Sequence, residues 1–300
     1  MRAGKLRAEV GIAPRVVGVA QVREREIELA GTRSPAIESG PAAAEAAVFV
    51  HGNPGSSADW RDLAGRVGEF SRALALDMPG FGGCRAPRDF DFRPEGFSEF
   101  LGDALDLLGV ERAHIVVHDL GGPFSWPLIT ARPELASSVA MINTGMLSGR
   151  RWHTMARLWR TPLVGEAVQL ATPRRLFMRG LQAGDGRPLP DEFVGRMGRD
   201  YDRHTRRAVL AIYRAADVPY PAASRWRATL ASLDLPSLIV WGEKDPFVPP
   251  RAIEHLRSAF PSAEVVRLSG SGHFPFADDP EGTAAAVVPF LQAQLERAAV

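Results

Sequence analysis

A single cysteine, Cys84, stands in 300 residues. One thiol cannot close an internal disulfide or build a multi-cysteine zinc or iron–sulfur site. Lysine is almost as scarce, with Lys5 and Lys244 alone, so nearly all positive charge is arginine. Lys and Arg total 36 against 35 acids, a net charge of +1. That balance offers no overall positive field for nucleic acid or an anionic membrane. No apolar run approaches the roughly eighteen residues of a membrane helix. Glu9, Pro14 and Arg15 interrupt the N-terminal segment, which therefore lacks the continuous apolar stretch of a secretion signal. No G-x-S-x-G, the elbow signature of serine esterases and lipases, occurs anywhere. What remains is ordinary for a folded protein: 45% hydrophobic and 24% charged residues, on a chain long enough to bury a full core. The expectation is a cytoplasmic protein with a small-molecule partner and no nucleic-acid or membrane partner. No metal or organic cofactor is implied, and the oligomeric state is left open.

AAVFVHG (46–52) and RALALDMPG (72–80) are short apolar runs ending at Gly or Pro, and HIVVHDLGG (114–122), SVAMINTG (138–145), SLIVWGEKD (237–245) and AEVVRLSGSGH (263–273) follow the same form. Runs of this form suit parallel strands buried on both faces. Helical patterns separate them, so the alternation predicts a doubly wound, mostly parallel sheet. Upstream, VVGVAQV and REIELAG read as strands, and 31–45, rich in Pro, Gly and Ser, reads as a loop. Between 146 and 232 only helical patterns occur. This predicts a core of 1–145 and 233–300 with a helical cap, 146–232, inserted between core strands over the sheet edge where such folds hold ligands. The insertion carries sixteen arginines and seven acids, a net +9. It is either a solvated face that pairs with an acidic core or an attraction for an anionic substrate.

Val117-His118-Asp119-Leu120-Gly121-Gly122 ends one predicted strand and opens a helix. A sharp turn there needs small residues, and it pushes its apex side chain, Asp119, into the cleft. Helix N-terminal amides favour a carboxylate at that point, although Asp119 as a plain helix cap satisfies the same pattern. His51-Gly52-Asn53-Pro54 ends an earlier strand, so the amides of Asn53 and Leu120 can converge as an oxyanion hole. Asp245 and His273 each follow a later strand, which gives the chain order nucleophile, acid, base.

On these motifs, residues 45–145 and 233–298 resemble the α/β-hydrolase superfamily, and specifically its aspartate-nucleophile branch of epoxide hydrolases and haloalkane dehalogenases. HGNPGSSADWRDL is similar to the dehalogenase oxyanion loop, and VVHDLGG to the elbow of both families. Asn143 occupies the place where some members carry the catalytic acid; an amide cannot serve, so that role passes to Asp245. The resemblance implies that Asp119 displaces at saturated carbon and becomes an ester. His273, held by Asp245, then activates the water that hydrolyses it.

The two families differ in what receives the leaving group. The dehalogenase pattern uses the residue after His-Gly, here Asn53, and a Trp directly after the nucleophile, where this chain has Leu120. Trp126 is read as core, and Trp152 or Trp159 as a possible substitute donor. Epoxide hydrolases place tyrosines over the aspartate. Tyr213 stands near the expected spacing before Asp245, with His153 as the second donor. The sequence reading is therefore an epoxide hydrolase-like enzyme. The alternatives are a haloalkane dehalogenase-like hydrolase, a specialised hydrolase of a larger metabolite, or a non-catalytic binding protein on the same fold.

Overall fold

The computed structural model describes residues 18–148, 152, 154–183 and 186–298. Its sheet contains β1 (Arg23–Leu29), β2 (Thr32–Ser39), β3 (Glu45–Val50), β4 (Arg72–Leu76), β5 (Arg112–Asp119), β6 (Ala136–Thr144), β7 (Ser237–Gly242) and β8 (Glu264–Leu268). The strand order is β1-β2-β4-β3-β5-β6-β7-β8. All six expected runs are strands, and from β4 across to β8 every neighbouring pair is parallel.

The edge made by β1 and β2 corrects the sequence reading. Most of the 31–45 segment is no loop: residues 32–39 form β2, which pairs antiparallel with β1 on one side and β4 on the other, and only 40–44 link it to β3 as expected. Pro35 and the flanking glycines conceal a strand whose hydrogen bonds come from two neighbours far apart in sequence. The described part of VVGVAQV, residues 18–22, is not a strand; β1 starts at Arg23.

Alternate residues along the central strands enter opposite cores, as a pleated strand requires. Val48, Val50, Ile115, Val117 and Met141 face α2 (Pro94–Leu107) and α3 (Gly121–Ala131). Phe49, Val116, Ala140 and Ile142 face α1 (Arg61–Val67) and the C-terminal helix 280–298. Each fully buried Val, Ile or Phe contributes about 1.5–3 kcal/mol by leaving water. Truncation of Ile115 to Ala in so closed a layer costs about 2–5 kcal/mol.

From β3 the chain crosses to β4 on one side, then returns to β5 on the other. The reversal opens a crevice beyond the C-terminal ends of β3 and β5, where open α/β sheets bind ligands. His51–Pro54 and Asp119–Gly122 leave the sheet at this point.

Among the described residues six helices separate β6 from β7: α4 (Thr154–Arg160), α5 (Val164–Ala171), α6 (Arg174–Ala183), α7 (Asp191–Asp200), α8 (Arg203–Ala215) and α9 (Ala223–Leu233). Two of their arginines close helix ends. Arg206 donates to the Gln169 and Thr172 carbonyls at the end of α5, and Arg160 to those of Tyr213 and Ala216 at the end of α8. Cations suit helix C-termini because unsatisfied carbonyls gather partial negative charge there. Arg214 grips Glu166 with two bonds of 2.7 and 2.8 Å. Arg196 reaches out of the segment to Asp59, 2.5 Å, and to the Ser56 hydroxyl, 2.9 Å. Beyond β7 lie α10 (Ala252–Ala259), α11 (Pro275–Asp278) and α12 (Pro280–Ala298). Among the described residues no helix is long and apolar enough to cross a membrane.

Candidate active site

Asp119 is the last residue of β5 and has φ +49°, a conformation that side-chain-bearing residues rarely adopt. Packing holds it there. A Cβ on Gly121 would meet the Val50 carbonyl, one on Gly122 the Thr144 hydroxyl, and one on Gly52 the Asp119 side chain itself. The Thr144 hydroxyl also donates to the Asp119 carbonyl. The helix-cap alternative does not hold: Leu120 is the N-cap of α3, and no side chain caps it. The Asp119 carboxylate instead accepts the Asn53 backbone N–H at Oδ1, 2.9 Å.

The loop carrying Asn53 is fixed from behind. His51 Nδ1–H donates to the Gly52 carbonyl, 2.9 Å, and its Nε2 accepts the Met78 N–H, 2.9 Å. Asp59 accepts the Ser56 N–H as well as the Arg196 guanidinium. Burial pushes the Asp59 carboxyl above the usual range, opposed by Arg196 and His51.

His273 faces Asp119 with Nε2 3.7 Å from Oδ2 and donates from Nδ1 to Asp245 Oδ2, 2.8 Å. Every acceptor on Asp245 is engaged. Its Oδ1 takes the Phe247 and Val248 amides at 2.7 and 2.9 Å, and its Oδ2 takes Asn143 Nδ2 at 2.7 Å. Burial alone would raise this carboxyl. The His273 charge and these hydrogen bonds prevail and hold it below the ordinary carboxylate value.

Sequence reasoning gave Asn143 no part. In the structure its Oδ1 accepts the Gly242 N–H, 2.8 Å, while its amide steers Asp245. An amide that cannot be the acid orients it; its place at the C-terminal end of β6, level with the site, was the available signal. His118 was also missed. It is buried, donates from Nε2 to the His273 carbonyl, 2.8 Å, and packs 4.7 Å from the His273 ring. Burial and the neighbouring His273 push its pKa well down. It therefore stays neutral beside a histidine that can carry charge.

A cavity of about 560 Å³ opens over these groups, lined largely by apolar side chains. Asn53, Leu120, Trp152, Tyr213 and His273 share its wall with Asp119. Asn53 Nδ2 donates to the Tyr213 hydroxyl, 3.3 Å. Burial, then the Asp119 charge, pushes the Tyr213 phenol far above its ordinary pKa, against the Asn53 bond. Leu120 offers the cavity an aliphatic surface. Trp152 does not aim its indole N–H at the cavity: that group donates to the Ala216 carbonyl, 3.1 Å, and the ring stands edge-on to Tyr213. Trp126 is core, bonded to the Gly145 carbonyl, and Trp159 packs on Tyr213. His153 lies outside the described residues. Among the described residues no cluster of His, Cys, Asp or Glu could hold a metal ion.

A carboxylate at a strand-to-helix elbow, facing a histidine that an acid orients, is suited to displacement followed by hydrolysis. The family model for the alpha/beta hydrolase fold matches residues 47–280, and the chain belongs to that family. Within it, the chain is similar to haloalkane dehalogenases. Haloalkane dehalogenase 2 of Mycobacterium tuberculosis is 29% identical over 248 residues, covering 80% of this chain and 86% of the relative. The haloalkane dehalogenase of Bradyrhizobium diazoefficiens is 26% identical over 296 residues, covering 90% and 94%. The crystal structure of haloalkane dehalogenase DbeA from Bradyrhizobium elkani superposes with a TM-score of 0.79 at 23% identity, covering 92% of this chain and all of that one, which speaks for the shared fold.

Proposed function

We propose that this hydrolase cleaves a bond from saturated carbon to a leaving group through an ester on Asp119, with haloalkanes as the first substrate class. An Asp119 oxygen attacks the carbon, the C–O bond forms, and the halide departs with the electron pair of the broken bond. His273 Nε2 then takes a proton from water as that water adds to the Asp119 carbonyl carbon. The Asn53 and Leu120 amides hold the resulting oxyanion. Collapse returns the carboxylate and releases an alcohol, so the net products are alcohol, halide and a proton. The observation that carries this reading is the run of contacts Asp119–His273–Asp245, with a carboxylate where esterases have serine. The dehalogenase relatives rank halide above the epoxide expected from sequence alone.

The helices of 146–232 serve as a cap on a core of 1–145 and 233–300, and bring Tyr213 over the nucleophile. One observation favours epoxide opening as the second reading: Tyr213 bonds Asn53 beside Asp119, where a phenol can protonate a ring oxygen. On the dehalogenase reading, Asn53 and Tyr213 receive the halide without the indole that Leu120 replaces. Halide release and diol formation, measured on a mixed panel of haloalkanes and epoxides, separate the two. Halide from the former supports the main reading, and diol alone, abolished in Tyr213→Phe, exchanges them.

A further inference from the structure

The cavity wall is apolar for most of its area, and among the described residues Asp119 is the sole carboxylate on it. Asp119 lies deep, with its side chain 13% exposed. The wall also includes exposed Leu176, Met155 and Arg251, with half-buried His255 beside them. Arg251 is the N-cap of α10, and His255 lies four residues on, so the two occupy one face of that helix. Unlike the arginines that close the ends of α5 and α8, Arg251 makes no hydrogen bond or ion pair through its side chain among the described residues, and neither does His255. Glu254, three residues on, leaves Arg251 unpaired.

We propose that Arg251 and His255 form a carboxylate-recognition site at the cavity mouth. On the reading above, the substrate class then becomes aliphatic carboxylates that carry the halogen or epoxide toward the other end of the chain. Two charges set the orientation. The anionic head group is repelled by Asp119 at the base and attracted by Arg251 and the N-terminus of α10 at the rim. The hydrocarbon between them meets Leu120, Leu147, Trp152 and Phe177. A guanidinium is matched to a carboxylate by two parallel N–H donors. A neutral haloalkane uses the same apolar wall but leaves the cation without a partner.

Binding without turnover tests this independently of the chemistry. Octanoate and 1-octanol, which share a chain and cannot alkylate Asp119, are titrated by calorimetry into the unaltered protein and into the double variant Arg251→Gln, His255→Gln. Octanoate should bind about fivefold more tightly than the alcohol at low salt, as a partly exposed ion pair allows. The preference should shrink toward unity near 1 M salt and vanish in the double variant, with octanol affinity unchanged. Equal affinities in the unaltered protein, no binding of either probe, or a preference that survives the double substitution would each overturn the site. Octanoate selectivity without halide or diol from any substrate would instead count against the proposed reaction and leave the site standing.

Discussion

Replacing Asp245 by asparagine exchanges one oxygen for an NH2 group where every acceptor is in use. With the NH2 in the Oδ2 position, it meets Asn143 Nδ2, formerly 2.7 Å from an oxygen, and turns a donor toward His273. His273 must then present Nδ1 as an acceptor and carry its proton on Nε2, the tautomer that cannot accept a proton from water. With the amide flipped, the NH2 faces the Phe247 and Val248 amides, formerly donors at 2.7 and 2.9 Å. Either arrangement buries donor against donor, at about 1–3 kcal/mol for each group left unpaired. The wrong tautomer in a comparable acid–histidine pair lowers turnover about 10⁴-fold. Single-turnover kinetics of Asp245→Asn should therefore show normal ester formation and hydrolysis slowed by about 10³–10⁴. Adding Asn143→Asp returns a carboxylate to the same contact and exchanges the roles of the pair. The double variant should melt above the single one and regain part of the hydrolysis. Hydrolysis within about threefold of the unaltered rate in Asp245→Asn would refute the assignment of the acid.

Three further outcomes follow from the same geometry. Leu120→Trp adds an indole donor beside the nucleophile. If it reaches the departing halide, a charged hydrogen bond of about 1.5–3 kcal/mol raises halide release roughly ten- to a hundredfold; an ion-selective electrode reads it. Arg196→Ala leaves the Asp59 carboxyl buried without its cation, a type of loss worth about 3–5 kcal/mol; urea denaturation near neutral pH measures it. Asp245 is held below its ordinary value in the folded protein, so its contribution is present above the unfolded pKa of about 3.9 and is lost as pH falls through the lower folded value. Acid denaturation of Asp245→Asn should lose that part of the slope below about pH 4.

The central strands were legible because burial on both faces makes each an unbroken apolar run, and the candidates Asp119 at the end of one strand and Asp245 and His273 past two later ones follow from chain order. The β2 strand was hidden because its ladder depends on β1 and β4, and Pro35 reads as a breaker in isolation. Side-chain direction was similarly beyond reach. Nothing in the sequence shows that the Trp152 indole finds the Ala216 carbonyl across the helical segment, or that Asn143 turns toward a residue 102 positions away. The arginine excess announced itself, but which helix end or carboxylate Arg160, Arg196, Arg206 and Arg214 each meet was set by packing.

The central claim is a covalent ester on Asp119, and intact-protein mass spectrometry of His273→Gln tests it most directly. Without the base, displacement proceeds and hydrolysis stalls. After incubation with a turned-over haloalkane the protein should gain the mass of the alkyl group, and peptide mapping should place it on Asp119. An unmodified mass, while the unaltered enzyme turns over the same substrate, would contradict the account.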